Sequence, residues 1–272
     1  MLKHTTFRSV KIRYSDLPAG KAGTGKGRAI VLIHGFPESF EIWNTFSESL
    51  SKHFRIIAID LPGFGESESI GYTHPMNLMA ECVKEVMDQI GYRKYVVAGH
   101  SMGGYVALAF AELFPKNVSG LCLFHSSALP DSEEKKKDRL RAVEIVKQDQ
   151  KHYVSELINK LFAPDNVPKF EKEIRWLKEL GTNTSPQGII NALLGMKDRP
   201  DRQDILKKAD FPIQFIIGKN DQVMPFQSLM DQSKLNKNTS VTVLEHSGHM
   251  GFYEEKERSQ KALLKFARRC FR

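Results

Sequence analysis

The sequence predicts an α/β fold in which a mostly parallel sheet carries helices on both faces. Short runs rich in Val, Ile and Leu alternate with longer segments of helical period, as they do in βαβ units. Several of these runs are apolar throughout, which is typical of strands buried on both faces. A chain of 272 residues, 41% of them hydrophobic, is long enough to bury a sizeable core around such a sheet.

The elements can be assigned in order along the chain. The first strand candidate alternates in polarity like an exposed antiparallel strand, and the middle candidates are continuously apolar. The seven strand candidates are SVKIRYS, AIVLIHG, RIIAIDL, YVVAGHS, GLCLFHS, FPIQFIIGKND and SVTVLEHSG. In the helix candidate NLMAECVKEVMDQIG, Met79, Val83, Val86 and Ile90 recur at three- and four-residue steps, and Gly91 supplies the stop. Two further helices are predicted at PFQSLMDQSKL and EEKERSQKALLKFARRC.

The alternation of predicted strands and helices is interrupted between residues 131 and 208. Here charged amphipathic helices follow one another without a buried-strand pattern. This interruption predicts an inserted helical cap, or lid, between two parts of the core, residues 1–130 and 209–272. The cap contains the basic triplet Lys135 to Lys137, which suggests an acidic partner at first sight. Because residues 131–151 hold seven basic and six acidic side chains, a solvated helix face is the favoured interpretation.

The formal net charge of +8 is concentrated at the two ends of the chain. Residues 1–28 hold seven Lys or Arg against one Asp, and residues 254–272 hold seven against three Glu. The middle of the chain is therefore slightly acidic. Because no stripe of basic residues is interleaved with aromatic residues, we expect no nucleic-acid partner.

The three cysteines, Cys82, Cys122 and Cys270, are too few and too irregularly spaced to indicate bridges or a metal site. No apolar run approaches the roughly 18 residues that a membrane helix needs, and the first residues lack the apolar core of a signal peptide. We therefore expect a cytoplasmic protein without a membrane partner. The sequence does not indicate an oligomeric state.

The segment GKAGTGKG, residues 20–27, partly matches a phosphate-binding loop. However, Gly27 stands where that motif needs a Ser or Thr to bind magnesium. A phosphate loop also lies between a strand and a helix, whereas this segment is followed by a predicted strand. A hairpin turn is the favoured interpretation, and no nucleotide, cofactor or metal is expected.

Ser101 lies in Gly-His-Ser-Met-Gly, between a predicted buried strand and a predicted helix. It could cap that helix, belong to a phosphate-binding loop, or act as a nucleophile. The pattern G-x-S-x-G favours the nucleophile, because a sharp strand-to-helix turn strains the serine and leaves no room for a Cβ two residues away on either side. A capping serine requires no such pair of glycines.

A serine nucleophile needs a base to remove its proton and an acid to orient that base. Asp221 follows the strand FPIQFIIG, and His249 follows the last strand, so the order Ser, Asp, His is satisfied. Each has a rival. Asp131 also follows a strand, and His246 lies three residues before His249. We favour His249 because His246 should still belong to the strand and pack under a helix, whereas Gly248 lets the backbone turn toward the serine.

Backbone donors are also needed for the oxygen that becomes negatively charged during acyl transfer. HGFP, residues 34–37, directly follows a predicted strand. The N–H groups of Phe36 and Met102 are therefore the candidates for an oxyanion hole. On its own, HGFP could equally be a simple turn.

Taken together, HGFPES (34–39), DLPGFGES (60–67), GHSMGG (99–104), GKND (218–221) and SGHM (247–250) resemble the motifs of the α/β-hydrolase superfamily over nearly the full chain. The resemblance implies an eight-stranded sheet and a cap over the carboxyl edge of the strands. It also implies a triad of Ser101, His249 and Asp221, with Phe36 and Met102 as the oxyanion donors.

HGFPES and DLPGFGES look particularly like epoxide hydrolases, but those enzymes and haloalkane dehalogenases use an aspartate nucleophile. An epoxide opened by a serine would leave an ether that water cannot cleave. The chemistry that remains is acyl transfer, so we expect a carboxylesterase-like enzyme acting on a small, largely apolar ester or thioester.

Other functions on the same scaffold remain open at this stage. A ligand receptor, a carbon–carbon bond hydrolase and a perhydrolase can share the triad. Substrate choice should reside in the cap. Five large apolar side chains there either line a pocket or form the cap's own core, and the core is the favoured interpretation for most of them: Phe162, Phe170, Trp176, Leu193 and Leu194.

Overall fold

A computed structural model describes residues 1–20 and 28–272 of the chain. Most of the glycine-rich segment GKAGTGKG lies outside the described residues, so its assignment as a hairpin turn stays a prediction. No helix in the described ranges is both long and apolar enough to cross a lipid bilayer.

The centre of the molecule is one eight-stranded sheet with the strand order β1-β2-β4-β3-β5-β6-β7-β8. The strands are β1 (Leu2–Phe7), β2 (Val10–Leu17), β3 (Ala29–Ile33), β4 (Arg55–Ile59), β5 (Tyr95–His100), β6 (Val118–Phe124), β7 (Ile213–Gly218) and β8 (Thr239–Leu244). β1 and β2 pair antiparallel with their neighbours, and all pairs from β4 to β8 are parallel. The predicted α/β class with a mostly parallel sheet is confirmed.

Ten helices accompany the sheet in the described part of the chain. They are α1 (Asn44–Ser51), α2 (Met76–Gln89), α3 (Met102–Leu113), α4 (Glu133–Asn159), α5 (Glu171–Thr182), α6 (Pro186–Lys197), α7 (Gln203–Lys208), α8 (Phe226–Ser233), α9 (Gly251–Glu254) and α10 (Lys256–Cys270). Helix α2 packs against α3, and α1 packs against α10. The predicted stop after α2 is present, because Gly91 has φ +84° and its N–H donates to the carbonyl of Asp88.

Strand β1 was not among the strands predicted from the sequence. Its residues alternate between exposed and half-buried along the strand, and it lies at the edge of the sheet against β2. An edge strand with one solvated face carries no continuous apolar run, so it lacks the signal by which β3 to β7 were recognised.

Residues between β6 and β7 form α4 to α7 and a short 3-10 helix, without a strand. Helix α4 is interrupted at Asp149 (φ −150°, ψ 84°), whose carboxylate accepts a hydrogen bond from the N–H of His152 and so caps the second half. Helix α6 lies against the core so closely that a Cβ at Gly188 would overlap the carbonyl of Gly63, and one at Gly195 would overlap that of His74. This helical segment is therefore firmly seated, along α6, on the loop between β4 and α2.

The loop after β4, which carries DLPGFGES, is fixed by a buried carboxylate. Asp60 accepts from Nε of Arg13 at 2.5 Å and from the N–H of Phe40 at 2.8 Å. Burial raises the pKa of Asp60 to about 6, although Arg13 acts in the opposite direction. Gly65 has φ +54°, and a Cβ there would overlap the Asp60 carboxylate, which explains this glycine of the motif.

Candidate active site

Ser101 lies in the sharp turn between β5 and α3. Its φ of 51° and ψ of −115° are strained for a residue with a side chain, and its hydroxyl makes no capping hydrogen bond to α3. A Cβ at Gly99 would overlap the carbonyl of Gly103, and a Cβ at Gly103 would overlap that of Ile33. The two glycines therefore allow the turn by close backbone packing, and a capping role for Ser101 is not supported.

His249 and Asp221 form a buried pair at the ends of the last two strands. Nδ1 of His249 lies 2.7 Å from Oδ2 of Asp221, and Oδ1 of Asp221 accepts the N–H groups of Val223 and Met224 at 2.8 and 2.9 Å. Burial alone would raise the pKa of Asp221, but attraction to His249 and hydrogen bonds from His125 and His249 hold it well below the usual value. Asp221 is thus an ionised acceptor for the His249 ring.

His125 is a second histidine on Asp221 that the sequence reading did not identify. It follows β6 with φ 49°, is fully buried, and places Nδ1 3.3 Å from Oδ2 of Asp221. The N–H groups of Gly251 and Gly218 donate to Nε2 and Nδ1 of His125 at 3.2 and 3.1 Å, so backbone contacts hold both ring nitrogens in place. Burial lowers the pKa of His125 to about 4, with Asp221 acting in the opposite direction, so the ring is neutral at pH 7. Its place at the end of a predicted strand was the only sequence signal, and nothing in the spacing linked it to Asp221.

The loop that carries His249 is held by Glu254. One carboxylate oxygen of Glu254 accepts the N–H groups of Gly248 and Met250 at 2.9 and 3.1 Å, and the other accepts the N–H of Ala163 at 2.8 Å. The N–H of His249 itself donates to the carbonyl of Leu161 at 2.7 Å. The segment after α4 is thus tied directly to the loop of the candidate base.

The proposed reason for Gly248 was wrong. Its φ is not in the left-handed region, so it is not needed to let the backbone turn. Instead, a Cβ at Gly248 would overlap the backbone N of Ala163. The glycine is needed because the segment after α4 passes directly over it.

The expectation that His246 is buried under a helix was also wrong. Strand β8 ends at Leu244, and His246 lies in the following turn with an exposed side chain. Its backbone is nevertheless held, since its N–H donates to Glu255 at 2.9 Å and its carbonyl accepts from Asn166 at 2.6 Å. The strand ended two residues earlier than the pattern suggested, so no sheet face constrains this side chain.

HGFPES connects the serine turn with the histidine loop. Oε2 of Glu38 accepts the N–H of Gly35 at 2.6 Å and lies 3.0 Å from Nδ1 of His100. Nε2 of His100 lies 2.9 Å from the carbonyl oxygen of His249. The residue before Ser101 therefore fixes the backbone of His249, through contacts buried on all sides.

Phe36 and Met102, the candidate oxyanion donors, follow adjacent strands. Ile33 of β3 pairs with Gly99 of β5, which brings the two strand exits side by side. Neither the N–H of Phe36 nor that of Met102 has a hydrogen-bond partner among residues 1–20 and 28–272. Two unpaired donors beside a strained serine are what an oxyanion hole requires.

Asp131, the rival acid, contacts arginines. Its Oδ2 accepts from Nε of Arg139 at 3.1 Å, and its Oδ1 lies 2.7 Å from Nη1 of Arg199. Both carboxylate oxygens of Asp131 lie close to these arginines, whereas Asp221 contacts the histidine. The geometry therefore favours Asp221 as the partner of His249.

Ser101 and His249 line the same small cavity of about 50 Å³, roughly the volume of one or two water molecules. The residues that line it are Phe36, Ser101, Tyr105, Lys135, Arg139, Tyr153, Leu157, Leu161, Met196, Val223, Met224 and His249. None of the five large apolar cap residues is among them. Phe162 and Leu193 are buried in the core, and Phe170 and Trp176 line a separate cavity.

His125, Asp221 and His249 also present ligand-type atoms within 4.8 Å of one another. Both oxygens of Asp221 and the facing ring nitrogens are already joined by the hydrogen bonds above. Because these bonds account for the arrangement, we assign no metal to it.

The parallel sheet, the strained serine after β5 and the buried His–Asp pair at the same edge define a hydrolase of the α/β class. Residues 28–256 match the family model described as alpha/beta hydrolase fold, and the chain belongs to this family. It is an esterase-like enzyme of the family.

Individual relatives agree with this class. A pimeloyl-[acyl-carrier protein] methyl ester esterase of Pseudoalteromonas atlantica is 31% identical over 246 residues, covering 86% of this chain and 92% of the relative. An AB hydrolase superfamily protein of Bacillus subtilis is 26% identical, covering 89% and 92% of the two chains. Among solved structures, a thermophilic esterase from Thermogutta terrifontis superposes with a TM-score of 0.91 at 29% identity, covering 99% of each chain.

Proposed function

We propose that this protein hydrolyses a carboxylic ester or thioester of a small substrate through an acyl-enzyme on Ser101. The observation that carries the proposal is the shared cavity: the strained Ser101 and the His249 ring, itself paired with Asp221, line one chamber. A strained serine in a turn with two unpaired backbone donors has no structural purpose that a less strained residue would not serve better.

In the proposed cycle, Oγ of Ser101 attacks the ester carbonyl while Nε2 of His249 accepts its proton. The carbonyl oxygen becomes negative and is stabilised by the N–H groups of Phe36 and Met102, each worth about 3 kcal/mol in comparable sites. His249 then gives the proton to the departing alcohol. Water, activated by the same histidine, hydrolyses the acyl-enzyme and restores Ser101. Asp221 orients the ring and stabilises its charged form in both halves.

The lining of the chamber supports a substrate with an apolar part beside the reacting carbonyl. The apolar part of the wall is formed by Phe36, Leu157, Leu161, Met196, Val223 and Met224. Two relatives with esterase in their names support the ester as the bond cleaved. No metal or cofactor is needed for any step of this cycle.

We also propose that residues 131–208 act as a cap. The chamber of about 50 Å³ is smaller than an ester with its leaving group, so part of its wall must move for substrate to enter. The segment 161–163 is tied to the histidine loop, and α6 is seated on the core. We propose that the first half of α4, before the interruption at Asp149, is the part that opens.

The test is steady-state hydrolysis of p-nitrophenyl acetate, butyrate and hexanoate by the wild type and Ser101→Ala. We expect many turnovers per molecule with the wild type and background rates with Ser101→Ala. A single burst without turnover would instead indicate a receptor built on the hydrolase scaffold. Full activity of the alanine variant would reject the proposed nucleophile.

A further inference from the structure

Two basic side chains from α4 face the catalytic chamber. Lys135 and Arg139 are four residues apart, so they lie one above the other on the same face of the helix. Both line the chamber that contains Ser101 and His249. The neighbouring Lys136 points elsewhere, because it pairs with Glu133 on the exposed surface at 2.7 Å.

The positive charge in this region exceeds the negative charge that compensates it. Within the described residues, the ammonium group of Lys135 forms no ion pair with a carboxylate, and Arg139 uses Nε to contact Asp131. The same Asp131 also contacts Arg199 at 2.7 Å. Two arginines therefore share Asp131, while Lys135 has no carboxylate in contact with its ammonium group in the described part of the chain.

This arrangement is unfavourable for the protein alone. Burial lowers the pKa of Lys135, and repulsion by Arg139 lowers it further, although Asp131 and Asp221 act in the opposite direction. Half-buried cations without counter-charge are tolerated mainly where a ligand supplies that charge. An anion placed between Lys135 and the free terminal nitrogens of Arg139 would compensate both.

The position of the two side chains is suited to substrate selection. A second, larger cavity of about 570 Å³ opens to the surface beside the chamber, and the two cavities share Lys135, Arg139, Tyr153, Leu157 and Val223. These five residues thus form the wall between the surface and Ser101. A substrate that reaches Ser101 by this route passes beside the two cations.

We infer that the preferred ester carries a carboxylate, and that Lys135 and Arg139 are the residues that bind it. This inference rests on the proposed function, since it names the substrate class of the same site. The apolar part of the substrate lies against the chamber wall, while its charged end stays at the wall shared with the outer cavity. The planar guanidinium of Arg139 suits a carboxylate because it can donate two parallel hydrogen bonds.

The experiment compares matched esters that differ only in charge. For a carboxylate on the acyl side, the pair is mono-p-nitrophenyl glutarate and its methyl ester. For a carboxylate on the alcohol side, the pair is 4-acetoxybenzoate and its methyl ester, with rates corrected for intrinsic reactivity toward hydroxide. In one of the two pairs we expect kcat/KM to favour the charged ester by roughly tenfold or more, because a charge-assisted hydrogen bond is stronger than a neutral one.

The variants are Lys135→Gln and Arg139→Gln, alone and together, with Lys136→Gln as the matched control. We expect the charged-to-neutral ratio to fall toward one in the double variant and to remain at the wild-type value in Lys136→Gln. The ratio is measured within each variant, so a general loss of folded enzyme does not alter it. Added salt should also reduce the wild-type preference.

Two results would overturn the inference: equal kcat/KM for both members of both pairs, or a preference that survives in the double variant. Both are distinct from failure of the proposed function, in which none of the four esters is turned over or Ser101→Ala hydrolyses them as fast as the wild type. Hydrolysis of the neutral esters without a preference for charge would thus support the proposed esterase function and reject the proposed carboxylate-binding site.

Discussion

Nδ1 of His249 lies 2.7 Å from Oδ2 of Asp221, although 27 residues, including the whole of β8, separate them in the chain. The contact exists because β7 and β8 are parallel neighbours whose carboxyl ends meet at one edge of the sheet. Asp221 is the only carboxylate that the described structure places on this ring. It therefore determines which ring nitrogen of His249 is left free to act as the base.

Replacing Asp221 by Asn should lower kcat by about 10⁴-fold, since an amide cannot hold His249 in the same tautomer or stabilise its charged form. Asp131→Asn should cost far less in turnover of a neutral ester, because Asp131 contacts Arg139 and Arg199. Kinetics of both variants with p-nitrophenyl butyrate measure the difference. If Asp131→Asn were the more damaging change, the role of the acid would have to be reassigned.

Replacing His249 by Gln should reduce kcat to near background while the thermal midpoint changes little. His246→Ala should leave activity intact and alter the free energy of unfolding by no more than about 0.5 kcal/mol, as expected for an exposed side chain. Turnover assays and thermal melts of the two variants test this. An active His249→Gln enzyme would be incompatible with the proposed base.

Stability should fall as the pH drops from about 6.5 toward 4. Burial lowers the pKa of His34, His74 and His125 to about 4 each, so below pH 6.5 the unfolded chain binds protons that the folded chain does not. The loss approaches about 3 kcal/mol per histidine at the acid end. Asp60, with its raised pKa, acts in the opposite direction but is a single group.

Urea unfolding at pH 7, 6 and 5 measures this dependence. His74→Gln should reduce the pH slope, because it removes one buried neutral histidine outside the catalytic chamber. His246→Gln, the exposed control, should have the slope of the wild type. Equal stability at pH 7 and pH 5 would show that the buried histidines do not resist protonation.

Limited proteolysis should cut residues 131–208 before the sheet and its flanking helices, since a cap must open during turnover. Within this range, we expect the first cuts in the first half of α4 and not in residues 161–163, whose backbone is bonded to the histidine loop. Mass spectrometry of the early fragments locates the cuts. Initial cleavage within the core would contradict the cap assignment.

Much of this site could be predicted because its residues lie directly after strands. Ser101, Asp221 and His249 each follow a strand, and parallel strands bring such positions together even when the chain separates them. Contacts made by side chains across the fold were not predictable in this way. His125, Glu254 and the inward-facing Lys135 depend on which face packs against which segment, and neither spacing nor composition encodes that.

The sequence-based predictions were wrong where one local pattern is compatible with two different structures. A strand pattern does not state its last residue, so His246 was assigned to a strand that ends at Leu244. A glycine indicates either unusual dihedrals or a close neighbour, and Gly248 proved to be the second case. Edge strand β1 gave no continuous apolar run and was missed.

The central claim, that Ser101 is an activated nucleophile, is tested most directly by covalent labelling with a fluorophosphonate followed by peptide mass spectrometry. We predict one label per molecule, on Ser101. Labelling should be lost in Ser101→Ala and strongly slowed in His249→Gln. The control is Ser127→Ala, in which labelling should be unchanged, because the Ser127 hydroxyl lies at another strand exit and bonds to Gln232. A label on a different serine, or unchanged labelling of folded Ser101→Ala, would contradict the claim.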